Sequence, residues 1–329
     1  MDPFTHGIIG LGVGALCGQP LSPYNAVYNA AFLGAIAPDL DFVTMLGGDM
    51  TFLRNHRGTS HSLAGFLFLS AAIAGILFLD FGGNPLVYFL WALAGAMSHG
   101  ILDSLNSYGT QLWWPLSQKR CAGNLLIFFD PFLIFLFMPV LFAYQTPQKA
   151  AFLALGLTGL YLLLRLLLRL NVERLLYKKF DLVRGKTRLA VLPALQGTAN
   201  WDFFIDAPRE IILGTLNSFK PGIHKKQYLP KKENTPLVLQ ALQTIPGKFF
   251  SQFTSFYHIN FWQEKNKHIV KLIDLRFKNK SDFFYKLTMI FNEQLLLEEA
   301  YFHRMGEVIT VEKYSNEENV KTPSLMGQA

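Results

Sequence analysis

The sequence predicts an α-helical integral membrane bundle of about six membrane segments, the first two open to reading as one short hairpin, followed by a C-terminal mixed, mostly β cytoplasmic domain. Three observations predict it. Of the 329 residues, 51% are hydrophobic and only 16% charged, where a soluble globular chain averages roughly 25% charged. Apolar runs of membrane-spanning length crowd the first half. The charge is also uneven: residues 1–170 hold 7 Lys+Arg and 7 Asp+Glu, leaving 23 of the 30 bases and 16 of the 23 acids to residues 171–329. The first half is therefore neutral, and the second carries the whole net charge of +7. This composition excludes an ordinary cytosolic enzyme.

Taken in chain order, Gly7–Gly18 and Ala26–Pro38 are short apolar stretches joined by Gln19-Pro20-Leu21-Ser22-Pro23. They read as two short spans or as a re-entrant hairpin, and Gly10, Gly12 and Gly14 suit close helix packing. Ser62–Leu79, Leu125–Tyr144 and Ala150–Leu168 approach the ~20 apolar residues that a membrane helix needs, and Leu86–Leu102 is as apolar but ends at His99 and Asp103. Arg54 and Arg57 lie in the loop at 39–59, Lys119 and Arg120 in the loop at 104–124, and Arg165 to Arg188 follow the last span. The loops at 19–25 and 80–85 have no Lys or Arg, and the one at 145–149 has only Lys149. Because bases accumulate on the cytoplasmic side, the chain is expected to be multi-pass with both termini cytoplasmic. The opening Met1-Asp2-Pro3-Phe4-Thr5-His6 lacks the basic start of a secretory signal and is expected to be retained.

Residues 1–170 thus form the expected membrane domain, 171–312 a basic cytoplasmic domain, and 313–329 a polar tail expected to be disordered. Strand-like runs at Leu189–Leu192, Ile211–Leu216 and Ile269–Phe277 alternate with Pro and Gly turn signals, and the run Ser281–Glu299 reads as a helix. The basicity suits anionic lipid headgroups; nucleic acid is not the expected partner.

Ionisable groups in membrane segments are costly and mark functional sites by default. The apolar half holds four histidines and seven acids, and most of them fall at segment ends. His6 opens the first stretch, Asp39 and Asp41 close the second, His56 and His61 precede the third, His99 and Asp103 close the fourth, and Asp130 opens the fifth. Under the predicted topology all lie at the cytoplasmic end of their segments. Imidazole and carboxylate are ligands suited to zinc, manganese and iron. His99 and Asp103 are four apart, so a helix presents both on one face. Asp39 and Asp41 straddle one leucine, so one can bind a metal while the other bridges or orients a histidine. Asp130 is the weakest member, because an acid before Pro at a helix start is an ordinary cap. The cysteines, Cys17 and Cys121, form no Cys-x-x-Cys motif, and no P-loop, Rossmann glycine pattern or serine nucleophile elbow is present. His224, His258, His268 and His303 are scattered and read as surface groups.

The set Asp2-Pro3-Phe4-Thr5-His6, Pro38-Asp39-Leu40-Asp41, His56-Arg57-Gly58-Thr59-Ser60-His61, His99-x3-Asp103, Tyr108-Gly109-Thr110 and Asp130-Pro131 resembles, in order and spacing over about the first 145 residues, the YdjM-like, LexA-regulated, membrane-bound metal-dependent hydrolases. The resemblance implies a bacterial inner-membrane protein with a divalent metal and distant similarity to zinc-dependent phospholipase C and nuclease-like enzymes.

The expected chemistry is metal-assisted hydrolysis of a phosphoester on a lipid or lipid-linked substrate, with two or more divalent ions, zinc before manganese or iron. His6, Asp39, Asp41, His56, His61, His99 and Asp103 are the candidate ligands. Asp39, Asp41 and Asp103 are also catalytic candidates, and Arg57 is expected to bind a phosphate oxygen through its planar fork. The alternatives are a metal-ion or proton-coupled transporter and a non-catalytic membrane protein with a structural metal. A transporter would carry its polar groups near mid-membrane, often on inverted repeats, and neither feature is visible.

Overall fold

A computed structural model describes residues 1–47, 57–183, 185–195, 197–220, 222–231, 235–278, 282–304 and 306–313. The chain forms two compact units, one of residues 1–183 with 191–202 and 216–222, the other of 184–190, 203–215 and the chain from 223 on.

In the first unit, α1 (Pro3–Gly14) starts where Asp2 accepts from the Thr5 backbone N–H at 2.9 Å, with Pro3 in the first turn, where its missing N–H costs nothing. It lies antiparallel to α2 (Ala26–Ile36), because Gly10 meets Ala35 while Gly14 meets Tyr28. Helix α3 (Leu63–Phe81) begins at Ser62, whose hydroxyl accepts from Gly65 N–H at 3.0 Å. Helix α4 (Pro85–Ser104) begins at Asn84, which caps Leu86. Helix α2 beds against α4 through glycines on both sides: a Cβ on Gly34 would run into the Ala92 carbonyl, and one on Gly95 into the Ala31 carbonyl.

Among the described residues three helices are long and apolar enough to cross a membrane: α3, α4 and α6 (Pro147–Lys179). Their outer faces expose large apolar side chains such as Phe68 (74%) and Leu79 (86%), as lipid-facing helices do. The 33 residues of α6 span about 50 Å at ~1.5 Å per residue, so the helix runs continuously through residue 170.

The stretch 125–144 departs from the expected span. Its helical part is α5 (Pro131–Phe137), followed by a 3₁₀ turn over Met138–Phe142. Leu126 instead pairs with Asn106 in an isolated bridge, Arg165 of α6 donates to the Leu125 carbonyl at 3.0 and 2.8 Å, and Pro139 offers no N–H to continue the helix.

Strands β1 (Arg188–Pro193), β2 (Asn200–Asp206), β3 (Glu210–Asn217) and β4 (Ile223–Pro230) form one antiparallel sheet in meander order. Two helices, α7 (Pro236–Gln243) and α8 (Ile245–Phe253), precede a five-stranded antiparallel sheet of β5 (Tyr257–Glu264), β6 (Lys267–Asp274), β7 (Tyr285–Phe291), β8 (Leu297–Arg304) and β9 (Glu307–Lys313). The helix expected over Ser281–Glu299 is thus two strands. Tyr285, Leu287, Met289 and Phe291 are buried on alternate positions, which is the period of a strand with one face on a core. Phe253 of α8 meets Tyr285 edge-on at 5.3 Å and Phe302 at 6.2 Å to cover that face. The expected disordered tail falls beyond the described residues after Lys313.

Candidate metal centre

Four elements of the first unit end at one place. Helix α4 presents His99 and Asp103 one turn apart, both fully buried. A 3₁₀ helix continuing from α2 over Ala37–Gly47 carries Asp39 and Asp41. A short 3₁₀ turn, Thr59–His61, delivers buried His61 just before α3. His6, on α1, lies beside them.

One ligand atom from each of Asp39, His61, His99 and Asp103 falls in a cluster whose members all lie within 4.8 Å of one another. His61 Nε2 is 3.2 Å from Asp39 Oδ1 and 3.6 Å from Asp103 Oδ2; His99 Nε2 is 3.7 Å from Asp39 Oδ1 and 3.6 Å from Asp103 Oδ2. A tetrahedral ion with bonds of about 2.0–2.1 Å sets its ligand atoms about 3.3 Å apart. The four His–Asp distances, 3.2–3.7 Å, approach that spacing, and ligand atoms up to 4.8 Å apart would draw together around a divalent cation. The quartet's polar bookkeeping agrees: among the described residues His99 Nε2 and Asp103 Oδ2, which face the cluster, and Asp39 Oδ2 beside it are buried without a hydrogen-bond partner, and such orphans are rare unless something else satisfies them.

The surroundings aim the ligands. His99 Nδ1 lies 2.7 Å from the Ala35 carbonyl. A carbonyl only accepts, so Nδ1 carries the proton and Nε2 turns a lone pair to the cluster. His61 Nδ1 faces Ser60 Oγ at 3.0 Å and Asp41 Oδ2 at 3.5 Å. Asp41 Oδ2 also accepts from the Arg57 backbone N–H at 2.9 Å. Asp103 Oδ1 is engaged by the Met1 amino group, by His6 Nε2 at 3.3 Å and by Asn106 Nδ2 at 3.3 Å, whereas Oδ2 faces the quartet and the Arg57 guanidinium.

The expected ligands divide accordingly. Asp39, His61, His99 and Asp103 converge. Asp41 lies behind the His61 ring, outside the quartet. His6 also stands outside it, stacked on His99 with ring centroids 3.7 Å apart and planes 19° apart. His56 lies outside the described residues. Among the described residues the ligand atoms make one cluster, sized for one ion, where two or more were expected. Asp130 belongs to the framework: it caps Phe132 at 3.0 Å and accepts from the Tyr161 hydroxyl at 2.7 Å, tying α5 to α6.

Arg57 is buried at 4% exposure, with Nε 3.3 Å from Asp103 Oδ2 and its guanidinium 5.2 Å from the Tyr108 ring centre. Its backbone is left-handed, φ +58°, a conformation uncommon outside glycine that clusters at functional sites. Tyr108-Gly109-Thr110 forms the shelf beneath it. Asn106 Oδ1 accepts from the Tyr108 and Gly109 N–H groups at 2.8 and 3.0 Å, and Gln111 N–H donates to the Arg57 carbonyl at 3.1 Å. Ala35, Ser60 and Asn106 were missed by sequence reasoning. Backbone carbonyls and small polar side chains carry no signal of their own, although Ser60 and Asn106 lie beside residues already singled out.

The sequence pattern of the YdjM inner membrane protein family matches residues 1–172, more than half of the chain. The chain belongs to the YdjM family. All four quartet residues and Arg57 lie inside that match, so this YdjM-family chain carries a group that can hold a metal ion within its family-defining part. Residues 236–314 match the YfhP C-terminal alpha/beta plait domain, the segment that holds α7, α8 and the five-stranded sheet. The uncharacterized protein YfhP of Bacillus subtilis (strain 168) is 25% identical over 312 residues, covering 92% of this chain and 94% of the relative. A structural search finds the Bacillus megaterium YpeB C-terminal domain at TM-score 0.15 and 11% identity, over 41% of this chain and 62% of that one.

Proposed function

We propose that this YdjM-family membrane protein is a metal-dependent hydrolase of the bacterial inner membrane, acting on a phosphoester of a lipid or lipid-linked substrate at the cytoplasmic face. The observation that carries the reading is a buried His/Asp quartet with an arginine against it. Asp39, His61, His99 and Asp103 would hold a divalent ion, which when bound would supply Lewis acidity toward a phosphoryl oxygen and lower the pKa of water. The chain's own groups do the rest. Arg57 offers planar N–H donors to the phosphoryl oxygens, and Tyr108 steers its guanidinium. Asp41 holds the His61 ring and the Arg57 backbone through one carboxylate, so ligand and phosphate-binding group move together. Asp39 Oδ2 has no hydrogen-bond donor in the described residues and accepts the proton of the attacking water. The lipid bilayer is the partner, both termini face the cytoplasm, and the Lys/Arg distribution supports that orientation.

A second reading has an observation behind it. Four protein ligands, three of them fully buried, is the count of a closed structural zinc site, whereas catalytic zinc keeps an open position. One experiment separates the two. Full-length protein in lipid nanodiscs, loaded with zinc or manganese, is offered phospholipids and soluble phosphoesters, beside an Asp39→Asn variant. Metal-dependent release of a phosphorylated or dephosphorylated headgroup, lost in the variant, supports hydrolysis. Bound metal with no turnover across the panel refutes hydrolysis and leaves the structural ion.

A further inference from the structure

A groove of about 690 Å³ runs along the first unit beside the quartet, within the size range of small-molecule sites. Phe4 and Leu11 of α1, Phe32 and Ile36 of α2, and Met138 and Leu141 of the 3₁₀ turn after α5 form its walls. Every lining side chain is apolar except Asp39. Since α1 and α2 are antiparallel, the groove has a direction. Pro3, Phe4 and Asp39 mark one end and Leu11 the other, about 12 Å along α1 at ~1.5 Å per residue. Phe137 lies against Gly12, which puts Met138 and Leu141 at the Leu11 end.

A peptide is a poor occupant, because its backbone N–H and C=O groups would find no partner along such walls and each would carry a desolvation cost. A hydrocarbon chain has no such groups and loses only apolar surface to the walls. It would enter from the lipid, where Phe4 and Phe42 stand 61% and 55% exposed at the mouth.

We infer that this groove seats one acyl chain of a glycerophospholipid, with the chain end toward Leu11 and the headgroup at Asp39 and the quartet. The inference rests on the lipid-phosphoester reading and adds where the substrate's tail lies and which residues set its length. The residue that limits chain length is then Leu11, facing Met138 and Leu141.

The test uses full-length protein in phosphatidylglycerol nanodiscs doped with phosphatidylglycerol carrying a diazirine at the end of one acyl chain. After irradiation, mass spectrometry maps the adducts. The expected result is labelling concentrated on residues 8–11, 28–36 and 138–141. Leu11→Trp, and separately Leu141→Trp from the opposite wall, should lower it at least tenfold while bound metal and thermal stability stay at parental levels. Two variants guard against one that misfolds. Adducts spread over lipid-facing α3 and α6, unchanged in both tryptophan variants, would overturn the assignment. Chain-to-chain adducts from a photoreactive amino acid at Leu141 would give the groove to a second copy and overturn it equally. Groove labelling without phosphatidylglycerol headgroup release supports the acyl site and refutes hydrolysis of that lipid, whereas release without groove labelling supports hydrolysis and refutes the acyl site.

Discussion

Asp41→Asn tests the arrangement of the metal centre most directly, because the two carboxylates of Pro38-Asp39-Leu40-Asp41 are assigned different jobs. Asp39 points its Oδ1 at His61 Nε2 and His99 Nε2, at 3.2 and 3.7 Å. Asp41 faces the opposite nitrogen, His61 Nδ1, at 3.5 Å and holds the Arg57 N–H at 2.9 Å. Its anion keeps the proton on Nδ1 and so leaves the Nε2 lone pair for the ion. Asparagine preserves size and one acceptor but removes the charge, and charge-assisted hydrogen bonds are roughly twice as strong as neutral ones. Losing such an orienting partner typically lowers metal affinity about 10–100-fold, or about 1.4–2.8 kcal/mol at ~1.4 kcal/mol per tenfold. Asp39→Asn and His99→Ala remove a ligand itself and should leave no stoichiometric metal after dialysis. The assay is competitive zinc titration of purified full-length protein against a chromophoric chelator, with His303→Gln in the other unit as an unaffected control. If Asp41→Asn loses metal as completely as Asp39→Asn, Asp41 is a ligand and the division of roles is wrong. If its affinity is unchanged, the His61 ring is held by Ser60 alone.

Three further outcomes are expected. Arg57→Lys keeps the charge and loses the fork, so it should retain metal while turnover of the identified phosphoester falls by roughly 10²–10³, the usual effect of losing one donor to developing charge; parental kcat with the lysine would remove Arg57 from phosphate binding. Tyr161→Phe deletes the 2.7 Å bond to buried Asp130 and should cost about 1.5–3 kcal/mol, seen as a lower melting temperature with full metal content, since Asp130 is framework; lost metal would return Asp130 to the site. Burial first, then Lys271 and Lys286, hold the His303 pKa below its ordinary value, so below about pH 6.5 the unfolded chain takes up a proton the folded one refuses. Stability should therefore fall on acidification through that window, and His303→Gln should flatten the slope measured by urea titration at pH 5.5 and 7.5.

What the sequence made legible was whatever depends on spacing along one element. His99 and Asp103 share a helix face because they are four apart, and the cap at Asp130 follows from an acid beside Pro at the start of an apolar run. What it hid depends on where a turn points. In a 3₁₀ helix each residue advances by about 120°, so Asp39 and Asp41 diverge by a third of a turn. Two residue types that look alike in sequence thereby serve opposite sides of one imidazole. Average hydropathy over 125–144 hides where the helix starts and stops: the cap at Asp130 and Pro139 together shorten a span into one small helix and a turn. The apolar content of Ser281–Glu299 suggested a helix, although the alternation at Tyr285, Leu287, Met289 and Phe291 carried the strand signal.

The packing of α2 on α4 and the aim of His99 arise from neighbouring contacts of one interface. Gly95 on α4 lies against the Ala31 carbonyl, and one turn further along both helices His99 donates to the Ala35 carbonyl at 2.7 Å. Any side chain at Gly95 would push the helices apart where the ligand's orientation is set, and Gly34 against Ala92 guards the same interface from the other helix. Asp39 follows α2 by three residues, so a shift of α2 would displace one ligand and release another together. The small residues that permit close helix approach in a membrane therefore also fix the geometry of the quartet, and the packing cannot relax without opening it.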